Sequence, residues 1–230
     1  PSIAQLRSLV AVVAPTKASV VVLGESGAGK EVVARALHAQ SKRRGPFVIV
    51  NCAALPEQLA DVRLFGDPTG DPGLVRQAND GTLFLDEVGE LPAALQAKLV
   101  HVLDDKQAVA TGSTIGATGS AIGATGSTIG ATGSTIGANA GGVRVVAATT
   151  RELAREVERG AFRADLLARL AEITISLPPL RARREDVLLL LESALPGLRD
   201  GTVELGQELV NALLLHAWPF NVRELLKIAA

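Results

Sequence analysis

The chain has 230 residues, 47% hydrophobic and 20% charged, enough to bury one sizeable core with a small satellite domain, so a globular protein is expected. A net charge of −1 excludes a global basic field for nucleic acid, and the lone Cys52 excludes an internal disulfide framework, fits a reducing compartment and reads as a small buried residue. No run of about 18 apolar residues and no charged-then-apolar leader occurs, so a soluble, cytoplasmic protein without membrane contact is expected, and a start at Pro1 rather than Met suggests a fragment.

In chain order, "IAQLRSLVAVVA" (3–14) sets apolar residues at helical spacing, and Pro15 stops the helix. The β-branched run "ASVVVLG" predicts a buried strand, which enters the glycine-rich turn "GESGAGK" and then a helix over "EVVARALHAQSKR". "PFVIVNC" reads as a second strand, "GTLFLDEV" as a third ending in two acids, and "PAALQAKLVHVLDD" as a helix with Pro92 in its first turn. Residues 111–138 then write the heptad TGSTIGA four times, with Ala121 in place of one Thr. Its two glycines per heptad cost a helix roughly 1 kcal/mol each. The odd period sends Ile115, Ile122, Ile129 and Ile136 to alternate faces of any strand, which defeats one-sided burial.

"GVRVVAATT" and "ITISLPPL" supply a fourth and a fifth strand. Apolar strands alternating with helices predict an α/β fold with a parallel sheet covered on both faces. Past Pro178 and Pro179 the strands stop, and "REDVLLLLESAL", "GQELVNALLLHA" and "NVRELLKIAA" read as helices of a separate lid. The expected division is therefore an α/β unit at 1–180, interrupted at 111–138, and an α-helical lid at 181–230. Arg181, Arg183 and Arg184 cluster locally, so any nucleic-acid contact would be local or lie outside the chain.

Gly24, Glu25, Ser26, Gly27, Ala28, Gly29 and Lys30 fit the phosphate-binding pattern of glycine, four residues, then Gly-Lys, in the required place between strand and helix. Glycines let backbone N–H groups turn inward on a phosphate, the helix N-terminus adds partial positive charge, and Lys30 neutralises phosphate oxygens. Glu31 follows where a Ser or Thr ligand to Mg²⁺ is usual, so another group or water must fill that place. Asp86 and Glu87 end the strand "TLFLDE", where an aspartate can hold Mg²⁺ and a glutamate can deprotonate an attacking water. His38, His101 and His216 lack ligand spacing, and Trp218 reads as lid core.

The blocks "LGESGAGKEVVARALH", "PFVIVNCAALPE", "LFG", "GTLFLDEVGELPAALQAKLVHVL", "VRVVAATTREL", "FRADLLARL", "LPPLRARRED" and "WPFNVREL" occur in one order along nearly the whole chain. Together they resemble the central AAA+ domain of sigma-54-dependent transcriptional activators, the bacterial enhancer-binding proteins, in which a Glu after the lysine is usual. The resemblance implies an ATP- and Mg²⁺-dependent ATPase, working as a ring, usually a hexamer, that remodels the RNA polymerase–sigma complex. Carried over by motif, Asn51 would hold Glu87 away from water until the ring engages, and Thr150 would take the sensor position after the fourth strand. Arg163 and Arg169 would reach the neighbour's γ-phosphate, and Arg223 would be the lid's nucleotide sensor. By spacing alone, arginines six apart on a helix read as solvated. DNA contact is expected only through domains outside this chain.

Three positions depart from that pattern. Thr150 offers a hydroxyl where the family often has Asn. Phe220 stands where Gly is usual, and would strain the turn if positive φ were needed there. "DPTGDPG" (67–73) replaces the longer loop bearing GAFTGA, the motif that grips sigma-54 in the family, so sigma-54 contact loses its usual tip. The heptads fall where the family has a second loop on the same ring face. They read as a tolerated flexible linker, with a replacement contact element as the competing reading. The competing function is a nucleotide-gated oligomerisation module with little turnover; a small-molecule kinase fits the double acid and arginine pair less well.

Overall fold

A computed structural model describes residues 3–67, 70–110 and 142–229; the heptads lie outside the described residues, as does part of the 67–73 segment. Five strands, β1 (Val20–Leu23), β2 (Phe47–Asn51), β3 (Thr82–Asp86), β4 (Arg144–Thr149) and β5 (Ile173–Ser176), form one sheet in the order β2-β3-β4-β1-β5. Every pairing is parallel, with Val20 opposite Val146 and Ile173, and Asn51 opposite Asp86. All five strands were legible in the sequence; the inner strands β1, β3 and β4 are apolar runs because burial on both faces removes the need for alternation, whereas the edge strands β2 and β5 are only partly buried, β2 less so than its apolar run suggested.

The period-two geometry sorts side chains between two cores. Val20, Val22, Phe84, Val146 and Ala148 face α1 (Ile3–Val13) and α2 (Lys30–Gln40). Val21, Leu83, Leu85, Val145 and Ala147 face the opposite layer, which includes α3 (Glu57–Phe65), α4 (Gly73–Gln77), α5 (Ala93–Ala110), α6 (Leu153–Glu158) and α7 (Ala164–Leu170). Burying one such Val or Leu contributes roughly 1.5–3 kcal/mol. The helix after β1 and the helices after β4 thus lie on opposite faces of two adjacent strands. Their connecting loops part at the carboxyl ends of β1 and β4, the crevice where open α/β sheets bind ligands.

Beyond β5, α8 (Glu185–Ala194), α9 (Pro196–Arg199), α10 (Gln207–Leu215) and α11 (Asn221–Ile228) complete the order of elements. Leu180, Val187, Leu191, Leu213, Trp218 and Leu225 form a third core there. Trp218 is fully buried, donates its indole N–H to Leu213 O at 3.0 Å and meets His216 edge-on at 4.7 Å, as a core residue should.

Some local features departed from the sequence reading. Pro92 stands just before α5 rather than inside it, its carbonyl accepting from Leu95 N–H and Gln96 N–H, and α5 runs on to Ala110. α3, α4, α6 and α9 were not read as separate elements, being short and weakly patterned. Arg144, inside an apolar strand, is fully buried. Its guanidinium donates to Val13 O at 3.0 Å and Ala14 O at 2.8 Å, carbonyls at the negative end of α1, and to Ala18 O of the following segment at 3.2 Å, and burial brings its pKa down to about 10.

Candidate active site

The turn from β1 to α2 is a cradle built by glycine. Gly27 (φ 74°) and Gly29 (φ 103°) occupy the left-handed region, and a Cβ on Gly27 would stand 2.2 Å from Phe220 O. Gly29 faces open space, with nothing within 4 Å of where its Cβ would be. Gly24 N–H donates to Thr149 O at 3.2 Å, pinning the loop to the end of β4, and Ala28 N–H donates to Glu25 O at 3.2 Å within the loop. Lys30 opens α2 and is 7% exposed. Its Nζ donates to Gly24 O at 3.0 Å and lies 3.3 Å from Glu87 Oε1. Glu31 turns to Arg35, with a 2.7 Å ion pair, and favours the helix dipole from the first turn.

Glu87 carries a left-handed backbone (φ 51°, ψ 50°), rare for a non-glycine residue, which aims its carboxylate back over the loop. Its Oε2 accepts from Thr150 N–H at 3.2 Å and Thr150 Oγ1 at 3.3 Å. Asp86 accepts the Glu87 N–H on Oδ1 at 3.1 Å; burial, then the Glu87 charge, raise its pKa. Cys52 is buried beneath this pair, and burial together with the two acids pushes its thiol up to about 12, so it is inert.

Asn51 sits beside Asp86 in the sheet register, but its Oδ1 accepts from Ala53 N–H at 3.0 Å and Ala54 N–H at 3.2 Å, capping a short 3-10 turn. The groups that hold Glu87 are Thr150 and Lys30. Arg163, at the start of α7, makes a two-point pair with Asp165 at 3.0 and 2.7 Å, and Arg169 pairs with Asp104 of α5 at 2.9 Å. Both arginines lie in the α5–α7 layer. Arg223 reaches the loop: its Nη1 donates to Ser26 Oγ at 3.0 Å.

Phe220 has φ −108°, so no positive-φ strain falls on it; that conformation is taken by its neighbours Trp218 (φ 49°) and Asn221 (φ 52°). Two arginines of the basic cluster are likewise engaged with the loop, while Arg184 is exposed. Arg181 pairs with both oxygens of Glu25, and Arg183, 4% exposed, donates to Ala28 O at 2.8 Å. Sequence reasoning missed Asn221 and Arg181 as contacts of the loop. Both stand in quoted blocks, "NVREL" and "LPPLRARRED", but partners about 150 to 200 positions away leave no local signal.

The donor set suits a nucleotide and one divalent ion: an open glycine cradle, a buried lysine, and a raised, partly desolvated Asp86 beside a second acid. Among the described residues no group of three or more His, Cys, Asp or Glu could hold a metal by itself, so Asp86 would share Mg²⁺ with phosphate oxygens and water.

The family model for the Sigma-54 interaction domain matches residues 1–130 and 126–176. The chain belongs to this family. This Sigma-54 interaction domain is 44% identical over 239 residues to the nitric oxide reductase transcription regulator NorR2 of Cupriavidus necator, covering 97% of the chain and 41% of NorR2. The crystal structure of NtrX from Brucella abortus in complex with ATP superposes with a TM-score of 0.79 at 33% identity, over 99% of this chain and 49% of that one. The P-loop NTPase domain of an E. coli sigma-54 activator shares the fold at a TM-score of 0.50 and 19% identity. The architecture is that of a P-loop AAA+ NTPase, and the chain spans less than half the length of NorR2 or NtrX. Among the described residues no helix is long and apolar enough to cross a membrane.

Proposed function

We propose that this Sigma-54 interaction domain binds Mg-ATP at the carboxyl edge of its sheet and hydrolyses it as a ring to remodel a transcription partner.

 Residues 1–180 would carry the nucleotide and 181–230 would act as its lid. The carrying observation is the 3.3 Å pair between Lys30 of the loop and Glu87 of the strand end, with Asp86 beside it. Bound Mg²⁺ would polarise the terminal phosphate. In this reading Lys30 and the glycine-loop amides bind and orient the phosphates, Asp86 holds the metal, and Glu87 takes a proton from water after leaving Thr150. Arg163 and Arg169 would serve a neighbouring copy, after exchanging Asp165 and Asp104 for phosphate, which makes hydrolysis depend on assembly. Phosphate release should therefore rise more steeply than linearly with protein concentration and vanish in Arg163→Ala; linear turnover unaffected by that change would sink the ring mechanism.

A second reading, nucleotide-gated oligomerisation with little turnover, is favoured by the turn between α3 and α4. Asp67 Oδ1 accepts from Gly70 N–H at 2.9 Å and Asp71 N–H at 3.1 Å, and a Cβ on Gly73 would stand 2.3 Å from Gly66 N. Closed by these contacts and only seven residues long (67–73), the segment offers little reach for gripping sigma-54 or any other partner. Mg-ATP binding and assembly with negligible phosphate release would favour this reading over the first.

A further inference from the structure

The start of α11 docks directly on the phosphate loop, and one side chain organises the contact. Asn221 is fully buried at φ 52°. Its Oδ1 accepts from Leu180 N–H at 2.7 Å, at the hinge into the lid. Its Nδ2 donates to Glu25 Oε2 at 3.1 Å and to Ser26 O at 3.0 Å, both in the loop. The next residue repeats the attachment, Val222 N–H donating to Gly27 O at 3.1 Å. Glu25 is held from its other side by Arg181, which meets both carboxylate oxygens. Two residues along α11, Arg223 donates to Ser26 Oγ.

We propose that Asn221 and Arg181 are positioning residues: through Glu25 they latch the start of α11 to the phosphate loop and so hold Arg223 where its charge serves the bound phosphates. The latch deepens the nucleotide reading of this site and rests on it. Neither residue needs to touch the nucleotide. Asn221 ties hinge, loop and helix together, while Arg181 keeps the Glu25 carboxylate turned toward the Asn221 amide. A triphosphate carries more negative charge than a diphosphate, so misplacing the Arg223 cation weakens ATP binding more than ADP binding.

The decisive variant is Asn221→Asp, which tolerates positive φ and keeps an acceptor for Leu180 N–H, yet sets an oxygen against Glu25 and the Ser26 carbonyl. Calorimetry with Mg-ATP and Mg-ADP on the whole chain should show ATP affinity down on the order of tenfold and ADP affinity changed less. Arg181→Ala should move the same ratio less, and Arg181→Lys should restore part of it. Because the latch acts through Arg223, Asn221→Asp combined with Arg223→Ala should bind ATP no more weakly than Arg223→Ala alone. Equal losses for both nucleotides, or losses that multiply in the double variant, overturn the proposal. Should Asn221→Asp fail to fold, the exposed Arg181 variants decide by the same ATP-to-ADP ratio. Should the unaltered chain bind neither nucleotide, the nucleotide reading fails on its own. The docking is then read by hydrogen exchange at the Val222 amide: lost protection in Arg181→Ala supports the latch, and unchanged protection overturns it.

Discussion

The carboxyl edge of the sheet and the seam between the loop and the C-terminal helices, the proposed lid, use charges around the same glycine turn, but they are opposite in kind. At the sheet edge Lys30 is buried beside two adjacent acids, and burial, then the Glu87 charge, raise the Asp86 pKa. At the seam Glu25 and Arg181 are 41% and 44% exposed, each charge meets its opposite, and hydrogen bonds from Arg181 and Asn221 bring Glu25 down to about 2. A buried imbalance is costly and is relieved by a cation, whereas an exposed balanced pair contributes little net energy and is readily remade. In the proposed function, the chemistry would fall at the sheet edge and adjustment to the nucleotide at the seam.

The largest way to break this contrast is at the sheet edge. Lys30→Ala removes the buried cation and leaves Glu87 without its counter-charge, so Mg-ATP affinity should fall on the order of a hundredfold in calorimetry. Next comes the lid core: Trp218→Ala should cost the lid roughly 3–5 kcal/mol in thermal or denaturant unfolding, loosening the seam while the sheet stays folded.

Acid should separate the two regions. Asp86 has a folded pKa raised above 3.8, so Mg²⁺-dependent nucleotide affinity is present above that raised value and is lost as pH falls through it. Glu25 has a folded pKa lowered from 4.5 to about 2, so its stabilisation of the seam is full above 4.5 and is lost as pH falls toward 2. Metal dependence should therefore disappear before the lid undocks. Nucleotide titrations with and without Mg²⁺ report the first event, and fluorescence of Trp218, the single tryptophan, reports the second.

The smallest expected effect sharpens the sheet edge itself. Thr150→Val deletes one hydroxyl bond to Glu87 but keeps the backbone N–H, so the rate of phosphate release should change by about threefold to tenfold with ATP affinity nearly unaltered. An unchanged rate would mean that the Thr150 hydroxyl does not restrain Glu87.

Much of this was legible in the chain. The strand runs, the glycine turn ending in Lys30 and the acids closing "TLFLDE" follow from local composition, since a two-sided buried strand needs apolar residues and a phosphate cradle needs glycine. The order β2-β3-β4-β1-β5 was not legible, because identical apolar runs pair equally well until helices choose their faces. Asn51 shows the same limit: its place beside Asp86 is a matter of register, and its amide oxygen was drawn to the N–H groups of the turn immediately following it. Phe220 is the reverse case, where a residue type suggested strain that the backbone distributes to Trp218 and Asn221 instead.

By itself the sequence determined which residue types could do chemistry and which segments had to be buried, for both are properties of short stretches read in order. Only the tertiary structure decided that Thr150 holds Glu87, that Arg181 meets Glu25 and that Asn221 joins Leu180 to the loop. Those contacts span from 41 to 196 positions, and a directional hydrogen bond over such a separation exists only once the sheet and the lid have fixed where each backbone lies.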